Sequence, residues 1–161
     1  MRERQPNSRM CFVCGMQNPI GLKIIFEGDG KRVYATWTAR EEHQGYPGVL
    51  HGGITFALLD EVIGRAAMEL DPESPWMMTA KAEMHYRKPV PIGEELTLVG
   101  ELTRIRSRAV EGHGEVRLSD GTVAVEATAL YVKVPKNIAE SMKDRMQEEM
   151  KYWRVVDDQG T

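Results

Sequence analysis

Cysteine is nearly absent from this chain: Cys11 and Cys14 are the only two in 161 residues. Two thiols are too few for the disulfide framework of a small secreted domain, so the expectation is a reducing, cytoplasmic setting. Long apolar runs are missing as well. Nothing approaches the roughly 18 consecutive apolar residues of a membrane span, and the opening MRERQPNSRMCFVCG has no apolar signal-peptide core. No membrane partner is expected. Neither sign of charge dominates, since 21 Lys and Arg against 24 Asp and Glu leave a formal charge of -3. That balance removes any overall electrostatic reason to bind nucleic acid. Internal repeats and low-complexity tracts are also lacking. What is present is 42% hydrophobic and 28% charged residues in a length suited to one globular domain, with small molecules or protein as partners.

Glycine and proline divide the chain. Leu22–Phe26 and Arg32–Thr38 read as strands joined through Asp29-Gly30, a tight-hairpin signal. After the loop REEHQGYPGVL, the Ala-, Leu- and Met-rich stretch from about Gly53 to Glu69 reads as a helix, ended by the prolines of DPESP. Its apolar residues lie on most sides, which calls for cover on most sides. From Thr79 the period becomes two. Thr79, Lys81, Glu83, His85 and Arg87 share a wet face, while Ala80, Ala82, Met84 and Tyr86 share a packed one. Segments 96–105, 109–118 and 123–134 continue as strands with short connections, which favour antiparallel pairing. The expected architecture is α+β: a strand pair, a helix, then a four-stranded meander whose curved sheet wraps the helix. From Asn137 onward Ile138, Met142, Met146, Met150 and Trp153 mark a C-terminal amphipathic helix, expected to dock onto the body or onto a sister subunit.

Within HGGITFALLDEVIG two adjacent acids point about 100° apart on the helix. Glu61 has Arg65 four residues ahead, the favourable orientation for an ion pair. Asp60 has Phe56, Ala57, Ile63 and Gly64 at that spacing and no local partner. A buried carboxylate without one costs several kcal/mol, roughly, or gives up its charge. Upstream, His51-Gly52-Gly53 sits where loop becomes helix. The first N–H groups of a helix lack intrahelical acceptors and carry partial positive charge, so they can hold a developing oxyanion, or the glycines simply permit a tight turn. Gly52 and Asp60 are eight residues apart, about 12 Å at 1.5 Å rise. That is too far for one carbonyl to touch both, so their cooperation needs a second copy of the helix.

The stretch GVLHGGITFALLDEV, with YRKPVPIGEEL downstream, resembles the hotdog-fold acyl-CoA thioesterases of the PaaI-like (phenylacetate-type) group, over about residues 45–135. The opening CFVCG with NPIGL is similar to a subset of bacterial members. The resemblance implies a hotdog fold, a helix wrapped by an antiparallel sheet, paired into a homodimer or dimer of dimers with active sites at the interface. It places Asp60 as the catalytic carboxylate, the Gly52 N–H as the group that polarises the thioester carbonyl, His51 beside it, and Thr79 where a hydroxyl orients the attacking water. Gly45 departs from the pattern, since many members carry Asn six residues before the His. Gln44 is the neighbouring amide in its place.

The expected reaction is hydrolysis of acyl-CoA to free acid and CoA, with Asp60 as general base or as nucleophile. The alternatives are a non-catalytic acyl-CoA-binding protein and a hotdog dehydratase or hydratase. No cofactor is expected, coenzyme A being part of the substrate. Gly53, Gln44 and Glu61 are further substrate-binding candidates; Arg87, Lys88 and Arg106 are candidates for the CoA phosphates or for solvated strand-end charge. His51 either polarises the thioester or shapes the turn. Cys11 and Cys14 have metal-ligand spacing, but the chain supplies no second pair, so the expectation is a turn-stabilising role and no metal, with a site shared across a dimer as the alternative. The organisation expected is an N-terminal segment 1–19, a hotdog domain 20–135 and a tail 136–161.

Overall fold

A computed structural model describes residues 1–70 and 77–150. Along them run β1 (Glu3–Arg4), β2 (Glu27–Gly28), β3 (Arg32–Thr38), a 3₁₀ turn (Glu41–His43), α1 (Gly52–Ala66), β4 (Met77–Tyr86), β5 (Glu95–Ile105), β6 (Ala109–Arg117), β7 (Val123–Lys133) and α2 (Lys136–Met150). The strands form one sheet in the order β1-β2-β3-β5-β6-β7-β4, every neighbouring pair antiparallel. The expected α+β wrap of a curved sheet around α1 is what forms.

The expected meander is corrected in one respect: β4 pairs with β7 at the far edge, and β3 takes the place beside β5. Residues 87–94 are too rich in proline to turn back as a hairpin. Extended, eight residues span about 26 Å, enough to pass three strand spacings of about 4.8 Å. The segment is tied across the sheet end by its own backbone. Arg87 and Lys88 N–H groups both donate to Ala124 O (2.9 and 3.0 Å), Leu50 N–H donates to Val90 O (2.8 Å), and Gly93 N–H to Ala39 O (2.7 Å).

The Leu22–Phe26 run is not a strand, although the Asp29-Gly30 hairpin is present, with Gly30 at φ +86° between β2 and β3. Its side chains do bury: Leu22, Ile24 and Phe26 enter the core, while its backbone bonds to the turn above it, Leu22 N–H to Phe12 O (2.8 Å) and Ile24 N–H to Val13 O (3.0 Å). Val13 and Cys14 belong to the same core, so residues 1–19 pack onto α1 as part of the body.

Alternation along β4 also differs from the expected single wet face. The register slips between Thr79 and Lys81, where Thr79 faces Tyr131 and Lys81 faces Leu130. This bulge absorbs Ala80 and turns Thr79 to the α1 side, away from the face of Lys81.

Helix α1 seats Leu58, Leu59, Val62 and Ile63 fully buried on the sheet. Three strand glycines make room for them. A Cβ at Gly100 would overlap the Val62 backbone, and one at Gly112 or Gly114 would overlap Ile63; Gly100 and Gly114 are cross-strand partners. The expected cover on most sides leaves one stripe of α1 open among the described residues: Phe56 stays 36% exposed and Asp60 half-buried. The helix stop at DPESP, and Trp153 of the tail, lie outside the described residues. α2 forms where expected, with Ile138 and Met142 exposed. Among the described residues no helix is long and apolar enough to cross a membrane.

The glycine seat predicts that Gly100→Ala destabilises the protein by about 1–3 kcal/mol, the usual cost of overpacking a tight contact. Urea unfolding checks this, with a lowered midpoint at unchanged slope as the expected outcome.

Candidate active site

The approach to α1 is braced before the helix begins. Gly48 adopts φ +78°, Gln44 and Leu50 form an antiparallel bridge, and Gly45 N–H donates to Val49 O (2.9 Å). The buried His43, stacked on Trp37 at 5.0 Å between ring centroids, accepts the His51 N–H through its carbonyl (3.0 Å). Burial lowers the pKa of the His43 ring, whose Nδ1 accepts the Arg40 N–H (3.0 Å).

His51 caps α1. Its backbone is extended (φ -61°, ψ 132°), its carbonyl accepts from Ile54 and Thr55, and its Nδ1 accepts the Gly53 N–H at 2.9 Å. A neutral ring capping in this way carries its proton on Nε2. The cap also divides the two glycines, because the Gly53 N–H is used while the Gly52 N–H has no acceptor among the described residues. The Tyr86 hydroxyl donates to Gly52 O (2.8 Å), and its ring lies 3.6 Å from where a Cβ on Gly52 would stand. Burial raises the Tyr86 pKa. Gly45, in the place where an Asn was noted as missing, faces His51 so closely that a Cβ there would lie 3.3 Å from its ring. Gln44 spends its amide oxygen on the Gly48 N–H (3.1 Å).

Two turns on, Asp60 has partners that helical spacing did not reveal. The Thr79 hydroxyl donates to Oδ1 at 2.7 Å, and the Tyr131 hydroxyl lies 2.8 Å from the Asp60 carbonyl and 3.1 Å from Oδ1. Thr79 and Tyr131 are cross-strand neighbours at the β4 bulge. Burial, followed by the Asp60 charge, pushes the Tyr131 phenol far up, so it remains a donor. Both donors converge on one oxygen, which leaves Oδ2 without a protein partner among the described residues. Asp60, Glu61, Gly64, Arg65, Met68, Met77, Thr79 and Tyr131 line an open cleft of ≈ 180 Å³.

Glu61 makes the expected ion pair, Arg65 Nε to Oε1 at 2.9 Å. Arg65 is 3% exposed and also donates through Nη1 to Gln5 Oε1 (3.3 Å) and Pro6 O (3.0 Å), with its guanidinium 4.5 Å from the Phe26 ring centroid. It thereby anchors the N-terminal segment. Cys11 and Cys14 are free thiols. Their mutual hydrogen bond pulls Cys14 down to about 7 and pushes Cys11 up.

The cationic candidates are not brought together. Arg87, paired with Glu126, and Lys88 lie by the N-terminal end of α1; Arg106, bonded to Glu111 at 3.3 Å, caps the opposite end of the sheet. Tyr131 and Tyr86 escaped the sequence reading. Alternation on β4 put Tyr86 on the packed face, but only the fold shows what either hydroxyl meets.

A half-wrapped helix presenting its capped N-terminus and a braced carboxylate defines a hotdog-fold protein. Residues 47–125 match the family model described as Thioesterase superfamily. Among curated relatives, the acyl-coenzyme A thioesterase THEM4 of Bos taurus is 26% identical over 137 residues, which are 83% of this chain and 55% of the relative. The chain thus spans about half the length of the curated relatives it matches. A thioesterase superfamily protein of known crystal structure is 36% identical with a TM-score of 0.69, over 77% of this chain and 60% of that one. The PaaI protein from the E. coli phenylacetic acid degradation operon shares the fold at 15% identity and TM-score 0.63, over 71% and 81%. Residues 47–125 thus match the thioesterase superfamily, and the chain shares its hotdog fold with PaaI.

Removing Arg65 strands Glu61 and releases Gln5 and Pro6. Arg65→Leu is expected to lower stability by about 3 kcal/mol, at the lower end for a broken buried pair because Glu61 still reaches water. Chemical denaturation, with proteolysis of the N-terminal segment as a local probe, reads the loss.

Proposed function

We propose that the protein hydrolyses acyl-CoA thioesters, releasing the free acid and CoA. The observation that carries the reading is the arrangement of Asp60: Thr79 and Tyr131 hold Oδ1, Oδ2 has no protein partner among the described residues, and Asp60 lines the cleft. An oxygen oriented in this way takes a proton from water or attacks the thioester carbon itself. The name of the Bos taurus relative, an acyl-coenzyme A thioesterase, supports the same chemistry.

The carbonyl is polarised by the Gly52 N–H, the unused donor at the positive end of α1. His51 holds that end in shape through its cap on Gly53, and the Gly53 N–H therefore acts on the ligand only indirectly. About 12 Å separate Gly52 from Asp60 along one helix, so the Gly52 of one protomer works with the Asp60 of its partner. A homodimer in which the unpaired edges of two β4 strands lie side by side supplies this, and it covers the exposed Phe56, Met78 and Tyr86. Gln44 and Glu61 act on the substrate only through the backbone they brace, since Gln44 holds Gly48 and Glu61 holds Arg65. Arg87, Lys88 and Arg106 hold CoA phosphates, Lys88 with no ion pair of its own among the described residues. Arg87 and Arg106 stand at opposite ends of one sheet, so a single CoA meets both only across the interface.

A thiol-release assay over short, medium, long and aromatic acyl-CoAs tests the reaction. Asp60→Asn is expected to lower kcat by about 10²–10⁴, the usual contribution of a positioned base, with folding intact. Near wild-type turnover in that variant rejects the role. Tight acyl-CoA binding by the wild type without thiol release selects a binding protein instead. Tyr131→Phe and Thr79→Val each remove one donor to Oδ1 and are expected to lower kcat roughly tenfold, since about 1.4 kcal/mol is a decade. Single turnover in ¹⁸O-water separates the routes: label in Asp60 marks the anhydride, and unlabelled Asp60 marks water attack.

A further inference from the structure

The Cys-x-x-Cys turn is not consumed by the thioester chemistry, and the fold sets a third ligand beside it. Cys11 Sγ, Cys14 Sγ and a Glu61 carboxylate oxygen all lie within 4.8 Å of one another, Cys11 Sγ being 3.8 Å from Glu61 Oε2. Two ligands of a tetrahedral ion, at bonds of about 2.3 Å to sulfur and about 2.1 Å to oxygen, stand about 3.6 Å apart. The side chains are therefore close to ligating distance as they sit.

We propose that Cys11, Cys14 and Glu61 bind one divalent cation of the zinc class, with water in the fourth position, and that the ion clasps the N-terminal segment to the middle of α1. Two thiolates select a borderline-soft ion over magnesium or calcium. The turn is built to present them. Gly15 N–H donates to Cys11 O (2.8 Å), the N–H groups of Val13 and Cys14 point at Cys11 Sγ (3.3 and 3.5 Å), and a side chain on Gly15 would overlap the Cys11 carbonyl. These contacts fix the position of the Cys11 sulfur beside Glu61. Glu61 divides its oxygens: Oε1 takes the Arg65 guanidinium at 2.9 Å, and Oε2 faces the sulfurs. Arg65 then acts as the outer partner that orients a ligating carboxylate.

Charge favours the exchange. Two thiols, one carboxylate and one guanidinium sum to zero; when the ion binds, both thiols release their protons to solvent, and two thiolates, the carboxylate, the guanidinium and a doubly charged cation again sum to zero. Metal replaces two protons without leaving net charge in a mostly buried place. The fourth position opens outward, because Cys11 and Glu61 are half-buried while Cys14 is enclosed. Spacing alone offered two cysteines and no second pair. The third ligand lies fifty residues away in sequence and is brought in by the packing of residues 5–24 over α1.

The test uses the reduced full chain, stripped with a chelator and titrated with Co²⁺. One Co²⁺ per chain is expected, with a thiolate-to-cobalt charge-transfer band and the strong visible bands of tetrahedral coordination, both abolished by one equivalent of Zn²⁺; loading the metal-free form with Zn²⁺ releases the protons that the two thiols still hold. Cys11→Ser and Cys14→Ser are expected to lose the charge-transfer band. Glu61→Gln is expected to keep the band but weaken Zn²⁺ binding by roughly 10–100-fold, as loss of a ligand or its support does. A reduced wild-type chain without the band, as for a pair that only forms a disulfide, overturns the site. So does a band that survives in both serine variants, and unchanged affinity in Glu61→Gln removes Glu61 from it. The wild-type titration needs no variant to fold, and none of these readouts is catalytic, so the metal site and the thioesterase reading fail separately.

Discussion

The close approach of α1 to the sheet is the constraint on which the rest depends. Gly100, Gly112 and Gly114 leave no side chain beneath Val62 and Ile63, so the helix sinks onto β5 and β6 and buries one apolar stripe completely. A helix fixed in depth is also fixed in rotation. With Leu58, Leu59, Val62 and Ile63 pointing down, Asp60 is turned toward β4 and β7, and Glu61 toward the N-terminal segment, as about 100° per residue requires. The two adjacent acids thus serve different neighbourhoods because the glycine seat decides which way the helix faces.

The second device is the bulge in β4. Without it Thr79 would share the outer face of Lys81; with it, the hydroxyl crosses to the helix side and meets Asp60 together with Tyr131. One absorbed residue re-aims a side chain at the carboxylate, a common use of bulges beside functional sites. Because β4 is also an edge of the sheet among the described residues, the residues that orient Asp60 stand next to backbone unpaired by them, where a second sheet edge can add. Orientation of the carboxylate and the opportunity for dimerisation come from the same strand.

The N-terminal segment supplies the third element. It covers the Glu61 side of α1 through Arg65, whose buried guanidinium is shared among Glu61, Gln5, Pro6 and the Phe26 ring. Burial of an arginine is tolerable when its charge is paired, and here Glu61 pairs it while Gln5 and Pro6, some sixty positions away, take Nη1; Nη2 is buried with no hydrogen-bond partner among the described residues. The Cys-x-x-Cys turn rides on this segment and reaches α1 one residue beyond Asp60.

Much of this was legible in the chain itself. Period two, period 3.6, the Asp29-Gly30 turn, the loop-to-helix junction at His51-Gly52-Gly53, the Glu61–Arg65 pair and the helix-plus-curved-sheet class all follow from local rules that short stretches obey by themselves. Strand order, the bulge at Ala80, the irregular yet buried 22–26 run, the donors on Asp60 and the approach of Glu61 to the cysteines did not. Each depends on which distant segments share the core: Thr79 and Tyr131 are neighbours only because β4 pairs with β7 rather than β5, and residues 87–94 could cross the sheet only because their backbone found partners at 39, 50 and 124. Sequence determined the elements and the carboxylate that had no local partner; tertiary structure alone decided what partners it, because those contacts are set by packing across the sheet and not by spacing along the chain.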